Sequence, residues 1–365
     1  MSIIDRAQPA VETPYDAPAP RRLLGLEPAR VRFFAIAGWS AALAAYVTSQ
    51  GVPIDRIGLI VWTLTGLLAV SIGRRPLLTV LVDWLPFSAI LVAYDLTRGL
   101  ADALGSPTLW TPQLRLERDL FGGVEPTAWL QAHLKESFAP RWEVIVSCTY
   151  VSYFFAAYLI AGLLWMRNRK LWRRFAIRFV LINLIGLATF IVIPAAPPWA
   201  AGQCTAAEVA GNPANPPCLD EPNRLADNGL LGRLDIHHPN ASMYVERIGT
   251  RGFERYGLHV AAKLVDEGQA DVNEVAAIPS LHAALSMLIA VFLWPLSRRR
   301  WRPLLAVYPL IMAFSLVYSA EHYVVDIVAG WALTAVVCMG LGAFERRRQG
   351  KRVADADRLD VPISA

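Results

Sequence analysis

Hydrophobic residues in this chain gather into eight long, nearly uninterrupted stretches, at approximately 31–49, 57–73, 77–97, 143–166, 175–193, 281–297, 303–319 and 323–344. Crossing about 30 Å of hydrocarbon takes roughly 17–25 helical residues. The stretches meet or approach that length, so the pattern predicts an all-α, polytopic membrane helix bundle of about eight transmembrane helices. The polar residues between them alternate in kind. Arg21, Arg22, Arg30 and Arg32 precede or begin the first stretch, and Arg74 and Arg75 follow the second. Arg167, Arg169, Lys170, Arg173 and Arg174 follow the fourth, and Arg298, Arg299, Arg300 and Arg302 follow the sixth. Arg346, Arg347, Arg348, Lys351 and Arg352 follow the eighth. With eight spans all five basic clusters fall on one side, which the positive-inside rule makes cytoplasmic. Both termini are then expected inside, in a bacterial inner (plasma) membrane.

The other side carries two long loops. Residues 99–141 include Thr127-Ala128-Trp129-Leu130-Gln131, which reads as a short helix lying on the surface. Residues 194–280 are rich in Pro, Gly and Asn and are expected to form an irregular cap over the outer face. Residues 1–29, acidic, proline-rich and without an apolar core, read as a disordered cytoplasmic tail rather than a signal peptide. Residues 346–365 read as a second polar tail, leaving 30–345 as the membrane domain.

Composition agrees with this organisation. Hydrophobic residues make up 55% of the chain and charged ones only 18%, against about 25% charged in soluble domains. The net charge of +5 is accounted for by the basic clusters that set topology, and gives no reason to expect nucleic acid as a partner. The predominance of Arg over Lys fits a GC-rich bacterial genome. Of the four cysteines, Cys148 and Cys338 lie within spans and read as small buried residues. Cys204 and Cys218 share the external loop, where an oxidising compartment would permit a disulfide. The cysteine spacing fits no metal site.

Ionisable groups at span ends are costly and therefore direct attention to function. One cluster is Ala277-Ile278-Pro279-Ser280-Leu281-His282. Pro279 and Ser280 read as a helix start, so His282 falls in the first turn of the sixth span. The second is Glu321-His322-Tyr323-Val324-Val325-Asp326. Here His322 is expected at the start of the eighth span, with Asp326 one turn on along the same face. That spacing lets the carboxylate hold one imidazole nitrogen and leave the other to attack, the orienting logic of nucleophile triads. Both histidines sit at outer helix ends, so topology predicts that they are neighbours. Free N–H groups at the two helix starts would suit an anion such as phosphate. A lone histidine at a span end is ordinarily an interfacial or packing residue, and His133, His237, His238 and His259 are read that way. A His–Asp pair can likewise be only a buried hydrogen bond.

At these residues the chain resembles the type 2 phosphatidic acid phosphatase superfamily, whose second motif is Pro-Ser-Gly-His and whose third ends His-x-x-x-Asp. Leu281 departs from that pattern and looks like the Pro-Ser-Leu-His of the inositol phosphorylceramide synthase branch. Pro194-Ala195-Ala196-Pro197-Pro198-Trp199 is similar to that branch's Pro-rich element. The resemblance covers roughly residues 80–340. It lacks the family's first motif and the arginine usually found upstream of the third motif's histidine, where Leu316 stands. A cation for the phosphate must then come from elsewhere. Arg98, at the outer end of the third span, is the candidate, with pairing to Asp95 or snorkelling as its alternative.

The resemblance implies a six-helix catalytic core and two-step transfer without metal or other cofactor. His322 would attack a lipid phosphorus, Asp326 orient it, His282 act as acid and then base, and Ser280 hold phosphoryl oxygens. The substrate would be a phospholipid or polyprenyl phosphate at the extracytoplasmic face, among membrane lipids. The acceptor is expected to be an alcohol of inositol or sugar type; water, making the protein a lipid phosphatase, is the alternative. A transporter using His322 and Asp326 as a proton relay would place its ionisable groups near the midplane, not at outer helix ends. A haloperoxidase-like oxidase is a remote further reading.

Overall fold

A computed structural model describes residues 27–50, 53, 56–97, 106–220, 224–258 and 276–359. Its helices are α1 (Pro28–Gln50), α2 (Arg56–Ser71), α3 (Leu77–Thr97), α4 (Pro112–Leu120), α5 (Pro126–Leu134), α6 (Glu143–Arg167), α7 (Arg169–Val192), α8 (Pro198–Gln203), α9 (Arg251–Glu254), α10 (Leu281–Leu293), α11 (Arg302–Tyr318) and α12 (Val324–Leu359). Among the described residues there is no strand, only isolated bridges. Each of the eight apolar stretches is a helix. The segments Pro28–Gln50, Glu143–Arg167, Arg169–Val192, Arg299–Tyr318 and Val324–Gly350 are long and apolar enough to cross a membrane, while those around α2, α3 and α10 are apolar but shorter. Helices α3, α6, α7, α10, α11 and α12 pack together; α2 lies against α3 and α6, and α1 against α2.

Two boundaries differ from the sequence reading. Asn168 caps α7, its side chain accepting from the Lys170 and Leu171 N–H groups at 3.0 Å, so the basic residues 169–174 are its first turns rather than a loop. Similarly, α12 continues to Leu359, through residues read as a polar tail. Arg and Lys favour helix almost as well as Leu, so loss of hydrophobicity does not end a helix. Residues 1–26 of the expected N-terminal tail lie outside the described residues, as do 360–365 and His259, while Pro28 and Ala29 already belong to α1.

The membrane part is held by a core of large side chains. Trp84 and Phe87 of α3, Trp165 of α6, Trp172, Phe175 and Phe179 of α7, and Leu281, Leu285 and Leu288 of α10 are all buried in one cluster. Leu281 decides one close approach. A Cβ at Gly186 of α7 would lie 2.6 Å from Leu281 Cδ2, so the missing side chain at 186 is the socket that Leu281 fills.

The two long loops have a core of their own. Trp110, Leu114, Trp199, Leu219, Leu231, Leu234 and Val245 pack together, with Ala320 and Tyr323 from the α11–α12 turn. A disulfide joins Cys204 and Cys218, with Cα atoms 5.3 Å apart. The Pro-rich segment is stitched between two neighbours: Leu109 N–H donates to Pro194 O at 2.8 Å, Ala196 N–H to Leu109 O at 3.0 Å and Ala277 N–H to Ala195 O at 3.0 Å. These bonds hold both long loops against the end of the bundle where α10 and α12 begin. Residues 194–280 are irregular as expected, but those described form a packed cap.

Replacing Leu281 by Gly would restore the phosphatase-type motif and empty the socket over Gly186. Loss of a buried leucine is expected to lower stability by about 2–5 kcal/mol, read as a lower thermal midpoint in detergent. An unchanged midpoint would show that the socket contributes nothing.

Candidate active site

The turn between α11 and α12 sets the geometry. Beyond Tyr318, Ala320 N–H donates to Val317 O at 3.2 Å and Glu321 N–H to Leu316 O at 2.9 Å. These are the paired bonds of a Schellman motif, which needs a left-handed residue, usually glycine. Here Ala320 takes it, at φ 63°, a conformation costing an L-residue about 1–2 kcal/mol. Burial of Ala320 in the cap core and the 3.0 Å bond that Trp199 N–H donates to its carbonyl hold it there. The turn delivers Glu321 and His322 to the bundle end.

Helix α12 begins at Val324, so His322 precedes the helix rather than sitting in its first turn. The pairing with Asp326 survives by another route. Asp326 Oδ2 accepts from Tyr323 N–H at 3.0 Å, as the third helical residue does in a capping box. The same oxygen lies 3.8 Å from His322 Nδ1. On the opposite edge of the ring, Nε2 is 3.4 Å from His282 Nδ1. The two histidines, 40 residues apart, are therefore neighbours.

His282 is placed by α10. Ser280 is its N-cap, accepting from Ala283 N–H at 3.3 Å, and Ser280 N–H donates to Asp326 O at 3.0 Å. That bond ties the two motifs together. It requires a close approach of α12, because a Cβ at Gly330 would lie 2.3 Å from Ser280 O. The His282 ring stands between Tyr153, at 3.8 Å, and Tyr150, at 5.2 Å, both from α6. His322 and Asp326 are buried. His282 Nε2, His322 Nδ1 and Asp326 Oδ1 have no hydrogen-bond partner among the described residues. Such atoms are rare away from functional sites and call for an explanation.

The expectation of free N–H groups is not met at the start of α12. Tyr323 has no side chain able to cap α12, and Glu117 of α4 does so instead, Oε1 accepting from Val325 N–H at 3.1 Å. With Asp326 on Tyr323, the first donors of α12 are engaged by the protein, and at the start of α10 Ser280 engages Ala283 N–H. Glu117 is fully buried. Burial, reinforced by the charge of Glu125, raises its pKa to about 8. Glu125 is itself raised by burial and lies within hydrogen-bonding reach of Glu117; it caps α5 through Thr127 and Ala128 N–H.

Arg98 lies outside the described residues. Another arginine, unmarked by any motif, reaches the site. Arg247 donates from Nε and Nη2 to the two oxygens of Glu321, at 2.9 and 3.1 Å. Its guanidinium lies 5.0 Å from the ring centre of Trp199 and also contacts Tyr150. The segment carrying it is clamped. Gln131 Nε2 donates to Glu246 O and Tyr318 O at 2.8 and 2.9 Å, and Lys135 Nζ reaches Glu246 at 3.1 Å. Arg247 and Glu321 are 74 residues apart and Glu117 and Val325 are 208 apart, so no local spacing could have marked either. His133 stacks between Trp129 and His237 at 4.2 and 3.9 Å, a packing role. Among the described residues no three His, Cys, Asp or Glu side chains converge as a metal site requires.

A bundle of membrane-length apolar helices, with two histidines and an aspartate buried together at one end, defines a polytopic membrane protein with a candidate reaction centre. The model of the PAP2 superfamily matches residues 113–340, and the chain belongs to that superfamily. It is also similar to a phosphoinositol dihydroceramide synthase of Bacteroides thetaiotaomicron, 27% identical over 264 residues that cover 68% of this chain and 72% of that protein. No solved structure gives a significant match.

The Glu117 cap predicts a pH dependence. Its folded pKa, about 8, lies above the ordinary value of 4.5, so its contribution to stability is complete below about 4.5 and is lost as pH rises through about 8. Glu117→Gln keeps the carbonyl that accepts from Val325 but cannot ionise. Between about pH 6 and about pH 9 its melting temperature should fall less than that of the wild type. Parallel curves would remove Glu117 as the source.

Proposed function

We propose that this chain is an integral-membrane lipid phosphotransferase that carries a phospho-head group through a phosphohistidine on His322 to an alcohol acceptor of inositol or sugar type. The observation that carries the reading is the position of the His322 ring, with Nδ1 toward Asp326 at 3.8 Å and Nε2 toward His282 at 3.4 Å. Asp326 favours the tautomer with its proton on Nδ1, which leaves the Nε2 lone pair to attack phosphorus. Distances in a site without substrate are often long and tighten on binding.

In the first step a bond forms between Nε2 and phosphorus while the bond from phosphorus to the lipid oxygen breaks. His282 delivers a proton to that oxygen. In the second step His282 takes the proton of the acceptor hydroxyl as its oxygen attacks, and the P–N bond breaks. Ser280 accepts from Ala283 with an oxygen lone pair and so keeps its own O–H to donate to a phosphoryl oxygen. Arg98, at the end of the third span, remains a second phosphate-binding proposal. No step calls for a metal.

Residues 30–345 form the membrane domain in this reading, with 194–280 as its extracytoplasmic cap and both termini cytoplasmic, the orientation favoured by the basic clusters. Water as acceptor would make the protein a phosphatase. Burial of His322 and Asp326 beneath a packed cap favours a bound alcohol, because exclusion of water suppresses hydrolysis of a reactive intermediate. The similarity to a phosphoinositol dihydroceramide synthase supports the same choice.

Purified protein in detergent, given phospholipids or polyprenyl phosphates with and without inositol or sugars, should yield a new phospho-alcohol. His322→Ala should abolish it, and Asp326→Asn should slow it by at least about 10²-fold. Inorganic phosphate as the sole product would favour hydrolysis. Equal activity of His322→Ala and wild type would overturn the mechanism.

A further inference from the structure

A phosphoryl group carries negative charge that a buried site must neutralise. At the start of α12 the helix-end donors are engaged by Glu117 and Asp326. The basic residues of α6, α7, α11 and α12 lie in the turns at the opposite end of the bundle, and α10 has none. Among the described residues, the cap is therefore the nearest source of positive charge for the site. Four of the other cap cations are committed to carboxylates away from the histidines: Arg251 to Glu143, Lys135 to Glu246, Arg224 to Glu208 and Arg233 to Asp227.

Arg247 differs in position. Its partner Glu321 is the residue next to His322, and its charge acts on His282. A Cβ on Gly249, two residues along, would lie 3.4 Å from Glu321 Oε1 and 3.5 Å from Tyr150, so this stretch of loop lies directly against the site. The side chain is 27% exposed where Glu321 is 7% exposed, which leaves the guanidinium the more accessible of the pair. Trp199 supports its plane, and the Gln131–Lys135 clamp fixes the preceding residue. A guanidinium presents five N–H donors in a rigid fork that fits carboxylate and phosphate alike.

Building on the phosphotransfer reading, we propose that Arg247 is the phosphate-binding cation of the site, supplied by the long outer loop, and that Glu321 competes with the phosphoryl oxygens for its N–H groups. Arg247 thus holds a tetrahedral oxyanion over His322, and Glu321 sets how readily it is released.

Orthovanadate, a small phosphate mimic, tests this with the full-length protein in detergent. Binding is measured by titration calorimetry for wild type, Arg247→Gln, Arg247→Lys and Glu321→Gln. Arg247→Gln should weaken binding about tenfold or more, the loss of one charge-assisted pair. Glu321→Gln, which removes the competitor, should bind as tightly as wild type or more tightly. An ion pair that only braces the loop predicts instead that both variants weaken binding alike. That result, wild-type affinity in Arg247→Gln, or no vanadate binding by wild type would each overturn the proposal. Should Arg247→Gln fail to fold, Arg247→Lys and Glu321→Gln decide: weaker binding in the first with undiminished binding in the second supports it, and any other pairing overturns it. Transfer assays on His322→Ala separate the two claims. An inactive His322→Ala beside an Arg247→Gln of normal vanadate affinity removes only the role of Arg247, whereas an active His322→Ala removes the phosphotransfer reading.

Discussion

The first turn of α12 leaves backbone N–H groups that its own N-cap residue, Tyr323, cannot satisfy. Asp326 reaches back to Tyr323 and Glu117 reaches across from α4 to Val325. A helix end buried without such partners would be unstable, so these two carboxyl groups are a condition for α12 starting where it does. The start of α12 in turn fixes His322, two residues before it. The same carboxylate that caps the helix faces the imidazole, which couples His322 to the backbone geometry beneath it. Loop packing thereby becomes a requirement of the candidate site, because Glu117 belongs to the loop and not to the bundle.

Membrane helices and cap divide the work. The bundle brings α10 and α12 together through surfaces that tolerate almost no change. Gly330 lets α12 pass against the Ser280 carbonyl, and Gly186 receives Leu281. The cap brings what hydrocarbon-facing helices cannot readily carry. Arg247, Glu117, Glu125, Lys135 and Gln131 are all polar, and all lie on the two long loops. Ionisable groups are expensive at bilayer depth, so assembling them on loops and folding those loops onto the helix ends is the less costly arrangement.

Membership of the PAP2 superfamily accounts for the paired histidines and the aspartate, while Leu281 and the Pro-rich segment mark where this chain departs from the phosphatase pattern. Both departures have structural work. Leu281 fills the socket at Gly186, and the Pro-rich segment is stitched between residues 109 and 277 so that Trp199 lies beside Arg247. In the reading proposed here, that segment positions the roof of a water-poor site suited to transfer between two bound substrates.

Sequence alone determined the membrane-length elements and marked His282, His322 and Asp326, which the fold brings together. Runs of apolar residues located the eight helices because a bilayer demands length and hydrophobicity that few other contexts require. The spacing of Pro279, Ser280 and His282, and of His322 and Asp326, was legible because those residues act within a few positions of one another. Helix ends were less legible: α7 began earlier and α12 ran further than hydrophobicity indicated, since basic residues sustain a helix as well as apolar ones do. Tertiary structure alone decided that Glu117 caps α12, that Ala320 makes the left-handed turn, and that Arg247 stands over Trp199 beside Glu321. Those contacts join segments far apart in the chain through single side chains, and no local pattern records a partner that only the packing of loops onto a bundle brings near.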